Sequence, residues 1–137
     1  MSSLLRTVED HDALRVFADV LRGSGLAGAL ESRPCTLFAP TDDAFAELPW
    51  GELAALLASP PRLAGLLARH AAPGCWSAAE LLRAGRVALL CGHVADVMWC
   101  DGLLLVRGEH HPDLEATVVR PDLPAGKGLL HLLDTVL

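Results

Sequence analysis

The chain has 137 residues, of which 52% are hydrophobic and 4% aromatic, with no tyrosine; this is enough for one domain with an aliphatic core. Its 17 acidic and 11 basic side chains leave a net charge of −6, which argues against nucleic acid and anionic membranes as partners, since both select a basic face. No apolar run approaches the roughly 20 residues of a membrane span, so direct membrane insertion is not expected.

The start, Met1-Ser2-Ser3-Leu4-Leu5-Arg6-Thr7-Val8-Glu9-Asp10, has no positive n-region, no long apolar h-region and no small-residue cleavage site. It predicts a cytoplasmic chain, or one from which an export segment has been removed. The cysteines Cys35, Cys75, Cys91 and Cys100 could close two disulfides in an exported protein. None forms a CxxC pair and each lies in an apolar segment, which predicts buried free thiols and agrees with the cytoplasm.

A first helix is predicted from about Asp12 to Arg22, where Leu14, Phe17, Ala18 and Leu21 form one apolar stripe, with Gly23 as its C-cap. Leu26 to Leu30 reads as a short helical turn between glycines. Cys35 to Ala39 is a short apolar run suited to a fully buried strand, and Pro40, which has no backbone donor, ends it. Thr41 is a good N-cap, with Asp42 and Asp43 at the positive end of the helix it starts and Phe45 turned back into the core.

Pro49 ends that helix, and Trp50 to Leu57 and Pro61 to Arg69 follow as two more, the second with Leu63, Leu66, Leu67 and His70 on its inner face. Pro73-Gly74 is a turn. Ser77-Ala78-Ala79-Glu80 is a capping box opening a short helix that Gly85 closes. From Val87 the period becomes strand-like: Val87 to Leu90 and His93 to Cys100 are strands with a kink at Gly92. Asp101-Gly102 predicts a tight hairpin to Leu103–Arg107. Glu115 to Arg120 and Leu129 to Val136 complete the set. Helices first and strands later, around one early strand, predict an α+β architecture in a single domain, residues 1–137.

Catalytic patterns are scarce. Cys91-Gly92-His93 with Asp96 and Cys100 invites a zinc site of hydratase type, but strand alternation puts His93 and Asp96 on opposite faces. No Gly-x-Ser-x-Gly elbow occurs, and Gly23-Ser24-Gly25 follows a helix rather than a strand. The pair His110-His111 in Glu109-His110-His111-Pro112-Asp113 has no established ligand spacing and reads as a solvated loop open to partner contact. Pro121-Asp122 is a good turn, with Leu123 free to plug the core. Trp50, Trp76 and Trp99 each end a segment, where an amphipathic ring can anchor an interface.

Two stretches carry a resemblance: Thr36-Leu37-Phe38-Ala39-Pro40-Thr41-Asp42-Asp43-Ala44-Phe45, and Gly128-Leu129-Leu130-His131-Leu132-Leu133-Asp134-Thr135-Val136-Leu137. They are similar to the two signatures of the fasciclin domain family, an adhesion and interaction module of about this length. Between them Arg69-His70 stands where the family usually has Tyr-His. The resemblance covers about Thr7 to Leu137. It implies a wedge-shaped β-sandwich with helices packed on one side, in which Thr36, Phe38, Pro40, Thr41, Asp42, Phe45, His70, His131 and Asp134 are structural and the two histidines tie helices to sheet. It makes Glu109–Asp113 a small insertion at a loop tip. It also places Arg120-Pro121-Asp122-Leu123 where some members carry receptor-binding Asp-Ile elements.

The expected function is a non-enzymatic interaction module, without catalytic residues, metal or cofactor, and monomeric when isolated. Its partner-binding candidates are Pro121, Asp122, Leu123, His110, His111 and Trp99. A cytoplasmic single copy resembles the small fasciclin-type subunit of the cyanobacterial carbon-dioxide-uptake complex, an NADH-dehydrogenase-like assembly. That likeness implies docking on larger subunits at the thylakoid. The alternatives are a secreted or periplasmic adhesion domain and a zinc-dependent hydratase.

Overall fold

The computed structural model describes residues 4–108 and 115–137, with most helices in the first part of the chain and most strands in the second. The elements are α1 (Leu4–Asp10), α2 (Arg15–Ser24), α3 (Ala27–Glu31), β1 (Cys35–Pro40), α4 (Asp42–Ala46), α5 (Glu52–Leu57) and α6 (Pro60–Arg69). They continue with β2 (Ala71–Pro73), α7 (Ala78–Ala84), β3 (Arg86–Ala88), β4 (Val94–Cys100), β5 (Leu103–Gly108), β6 (Glu115–Ala125) and β7 (Gly128–Leu133).

The strands follow the order β2-β1-β7-β6-β5-β4-β3. The first and last apolar segments, β1 and β7, lie side by side and run parallel, Thr36 opposite Leu129 and Phe38 opposite His131. Parallel neighbours need a long crossover, and here almost the whole chain provides it. The order turns over at β6, whose Glu115–Thr117 end pairs with β5 while Val118–Ala125 pairs with β7. Leu90 N–H donates to the Ala71 carbonyl at 2.9 Å, bringing the two ends of the order back together.

Strand alternation then divides the interior in two. Leu37, Ala39, Leu130 and Leu132 point to one side, where α2, α5 and α6 cover them with Phe17, Leu21, Leu56, Leu63 and Leu67. Phe38, Ala72 and Leu133 point to the other, against Val87, Ala95, Val97, Leu104 and Val106 of the folded-over strands and Leu81 of α7. All six β1 residues are buried because both faces of that strand are covered. The architecture is the expected α+β sandwich with helices on one side.

Several sequence expectations need correction. Gly23 is not the C-cap of the first helix; α2 runs to Ser24 and Gly25 takes the left-handed cap at φ 74°. Gly23 instead permits close helix contact, since a Cβ there would sit 2.6 Å from Leu63 Cδ1. Leu4–Asp10 is a helix that the reading of the start left out, with Leu4 and Val8 buried. Ala71–Pro73 is a strand rather than only the approach to a turn, because β1 offers it an edge. The last strand stops at Leu133, where Asp134 N–H bonds back to the Thr117 carbonyl at 3.1 Å. Pro121 and Asp122 do not form a turn before the last strand; they lie inside the long β6, at an irregularity of its ladder. The thiols are free, yet Cys75 and Cys100 are exposed rather than buried, the latter because it ends β4 on an uncovered sheet face. The Asp101-Gly102 hairpin forms as read, at φ 52° and 79°.

Candidate functional site

The residues of the two signature stretches meet around β1 and β7, and one polar network joins them. It begins at Thr36, a hydroxyl in an otherwise apolar strand. Thr36 is fully buried; its Oγ1 donates to the Gly74 carbonyl at 2.8 Å and accepts from Trp76 N–H at 2.8 Å. The loop between β2 and α7 is thereby strapped to the central strand, with Trp76 Nε1 closing on the Pro73 carbonyl at 3.0 Å. His131, opposite Phe38 and stacked on its ring at 5.8 Å, takes hold of the same loop: Nε2 donates to the Trp76 carbonyl at 2.8 Å.

The other ring nitrogen, His131 Nδ1, accepts from Asp122 N–H at 3.2 Å. Asp122 has a left-handed backbone, φ 58°, uncommon for a residue with a side chain. Its carboxylate accepts from Ala78 N–H at 2.8 Å, in the first turn of α7, where the helix end favours negative charge. The capping box of Ser77 and Glu80 closes that end as read from the sequence. Pro121 and Asp122 are thus exposed on a bulge pinned from below by a buried imidazole and from the side by a helix terminus, while Leu123 packs against the helical core.

The electrostatics keep His131 neutral. Burial pushes its pKa down; the Trp76 carbonyl and the Asp122 carboxylate, 4.0 Å from Nδ1, oppose this without overcoming it. His70 forms a second clamp. Its Nδ1 donates to the Leu66 carbonyl at 2.7 Å and its Nε2 accepts from Leu137 N–H at 2.9 Å, tying α6 to the chain end. Complete burial, with the neighbouring Arg69 charge adding to it, lowers its pKa to about 4. Arg69, at the position where the resemblance implies a tyrosine, reaches the Leu137 carbonyl through Nε at 3.4 Å. With both nitrogens of each ring engaged, neither histidine is disposed to move a proton for a substrate.

The remaining signature residues position the chain. Thr41 caps α4, accepting from Ala44 N–H at 3.3 Å, and its own N–H continues the ladder to the Leu133 carbonyl beyond Pro40 at 3.0 Å. Asp42 serves a different helix from the one expected: Oδ1 accepts from Val16 N–H at 2.8 Å, capping α2, whose own N-cap Leu14 cannot. Phe45 is buried in the helical core. Asp134 fastens β7 to β6 by accepting from Thr117 N–H at 2.8 Å.

Trp99 is not part of this cluster; it stands on β4, three strands from β7, and is 62% exposed, while Trp50 is fully exposed and Trp76 half-buried. His110 and His111 lie outside the described residues. The Cys91, His93, Asp96 and Cys100 set does not converge: Asp96 pairs with Arg86 at 2.9 Å, and Cys100 is four residues along the same strand, about 13 Å away. Among the described residues no group of three or more His, Cys, Asp or Glu side chains could hold a metal ion. The residues that sequence reasoning missed are Thr36 as a hub and Trp76 as the loop it holds. A lone hydroxyl inside a buried apolar run was the signal available for the first.

Residues 12–137 match the model of the fasciclin domain family. The uncharacterized protein sll1735 of Synechocystis sp. is 29% identical over all of this chain and 98% of its own length. A second protein of Synechocystis sp., sll1483, is 30% identical over 98% of this chain and 72% of that protein. Transforming growth factor-beta-induced protein ig-h3 of Sus scrofa is 26% identical, with this chain spanning 19% of it. A FAS1 domain pair from the insect cell adhesion molecule Fasciclin I superposes with a TM-score of 0.73 at 20% identity, covering 91% of this chain and 45% of that one.

Proposed function

The chain belongs to the fasciclin domain family, and from that premise we propose that it is a non-enzymatic protein-interaction module that docks through the Pro121–Leu123 bulge. The observation that carries this reading is the double restraint on Asp122. A left-handed residue held at both its N–H and its carboxylate presents Pro121 in one conformation, so little ordering entropy is lost when a partner binds. In this reading His131 serves that display and His70 holds α6 to Leu137, rather than either doing chemistry.

Its partners, in this reading, are larger subunits of a cyanobacterial NADH-dehydrogenase-like carbon-dioxide-uptake complex, met on the cytoplasmic face of the thylakoid. Two relatives from Synechocystis sp., one of them spanned by this chain over 98% of its length, support the cyanobacterial part of this setting. So does the lack, among the described residues, of any helix long and apolar enough to cross a membrane, which suits a subunit that docks rather than inserts. A cell-adhesion role is the second reading, favoured by the likeness to the insect adhesion molecule.

The test is affinity capture of the tagged chain from membranes solubilised in mild detergent, with bound proteins identified by mass spectrometry. Wild type should bring down subunits of that complex and Asp122→Ala should lose them, with thermal melting checking that the variant is folded. Recovery of the wild-type chain alone, or equal capture by the variant, refutes the docking reading.

A further inference from the structure

The four strands β3 to β6 have one face in the second core and the other uncovered among the described residues. Val87, Ala95, Val97, Leu104, Val106 and Ala116 fill the covered face. On the outer face none of the alternating residues is buried, and several are nonetheless apolar: Met98, Cys100, Leu103 and Leu105 adjoin one another, with Val94 beyond Asp96 and Leu103 50% exposed. A water-facing antiparallel sheet ordinarily carries polar residues. A contiguous apolar patch on such a face marks a surface that meets another molecule.

The charges on the same face say which molecule. Arg86, Asp96, Arg107 and Glu115 stand opposite one another on four adjacent strands. The row therefore reads plus, minus, plus, minus from one edge to the other. Rotating a second copy about an axis along the strands, between β4 and β5, lays that row over itself in reverse. Arg86 then meets the partner's Glu115, and Asp96 meets the partner's Arg107. The same rotation sets Met98 and Leu105, the next residues along β4 and β5, on the partner's Leu105 and the partner's Met98. An isologous interface requires a patch that complements itself in this way. Within one copy Arg107 is incompletely satisfied: Glu115 engages its terminal nitrogen, but Nε has no acceptor among the described residues.

We propose that this outer face is the interface of a two-fold homodimer. Strand spacing and rise give a patch of about 15 by 20 Å between outer Cα rows, or about 1,000 Å² buried in total with side chains, at the lower limit of a specific interface. The dimer is thus a weak, concentration-dependent one. The patch uses the Glu115–Thr117 end of β6 and does not involve the Pro121–Leu123 bulge, so it stands independently of the docking reading.

Sedimentation velocity over about 5 to 500 µM spans the affinities expected of such a contact. Wild type should move from its 14.5 kDa monomer toward twice that mass. Asp96→Lys and Arg107→Glu should each stay monomeric, since each places like charges at the centre of the contact. Mixing the two variants should restore a dimer. The introduced lysine of one chain then faces the introduced glutamate of the other, and the unaltered Arg107 and Asp96 face each other across the same axis. Restoration also shows that both variants are folded. A wild-type chain that remains monomeric throughout, a dimer that survives either single variant, or a mixture that stays monomeric overturns the proposal. So does a face protected from hydrogen exchange only when another protein is added.

Discussion

His70 makes the stability of this domain depend on mildly acidic pH. The folded state holds the ring neutral with a pKa of about 4, against 6.5 for the free group. Well above pH 6.5 neither folded nor unfolded chain binds the proton, and His70 adds no pH dependence. As the pH falls from 6.5 toward 4 the unfolded chain takes up a proton that the folded chain refuses, so stability declines through that window. At about 1.4 kcal/mol per pKa unit the loss approaches about 3 kcal/mol by the acid end. With an m-value of about 1.5 kcal/mol per molar, the urea midpoint should fall by about 2 M.

The assay is urea unfolding followed by far-ultraviolet circular dichroism at steps from about pH 7.5 to 4, for wild type and His70→Gln. The glutamine amide can donate and accept but cannot titrate, so this variant should begin less stable and lose much less on acidification. The residual slope comes from His131, whose pKa burial also lowers, and has the same sign. If His70→Gln falls with pH as steeply as wild type, the buried neutral imidazole is not the cause and the reasoning fails.

Two further sites probe the central strands, with a helical glycine as their control. In Gly128→Ala the new Cβ would lie 1.7 Å from the Cys35 carbonyl oxygen, backbone against backbone with no rotamer to relieve it. The β1–β7 pairing should open at a cost above about 4 kcal/mol, read as a melting temperature lowered by more than about 10 °C. Gly65→Ala, in α6 with no atom within 4 Å, should be neutral or stabilising by up to about 1 kcal/mol in the same assay. Thr36→Val keeps the shape but leaves Trp76 N–H and the Gly74 carbonyl unpaired. It should cost about 2 to 4 kcal/mol and speed hydrogen exchange at the Trp76 amide; unchanged protection there would remove Thr36 from its place as hub.

Local chemistry determined much of this molecule. Threonine capped α4, Ser77 and Glu80 closed α7, and Asp101-Gly102 turned the hairpin, whereas Pro40 did not stop the ladder but pairs with Leu133 as the last residue of β1. The caps and the turn depend on neighbours within a few residues, so they are legible in the order of residues. The strand pairing of β1 with β7 was readable in outline because two runs so uniformly apolar must both be interior. What the tertiary structure alone decided are contacts between residues far apart in sequence. Asp42 caps α2 rather than its own helix; Gly23 makes room for Leu63; Asp122 is held by His131 and by α7. The signs on β3 to β6 alternate only once register brings Arg86, Asp96, Arg107 and Glu115 abreast. A side chain's type says which bonds it needs, but which distant backbone supplies them is set by how sheet and helices close over one another.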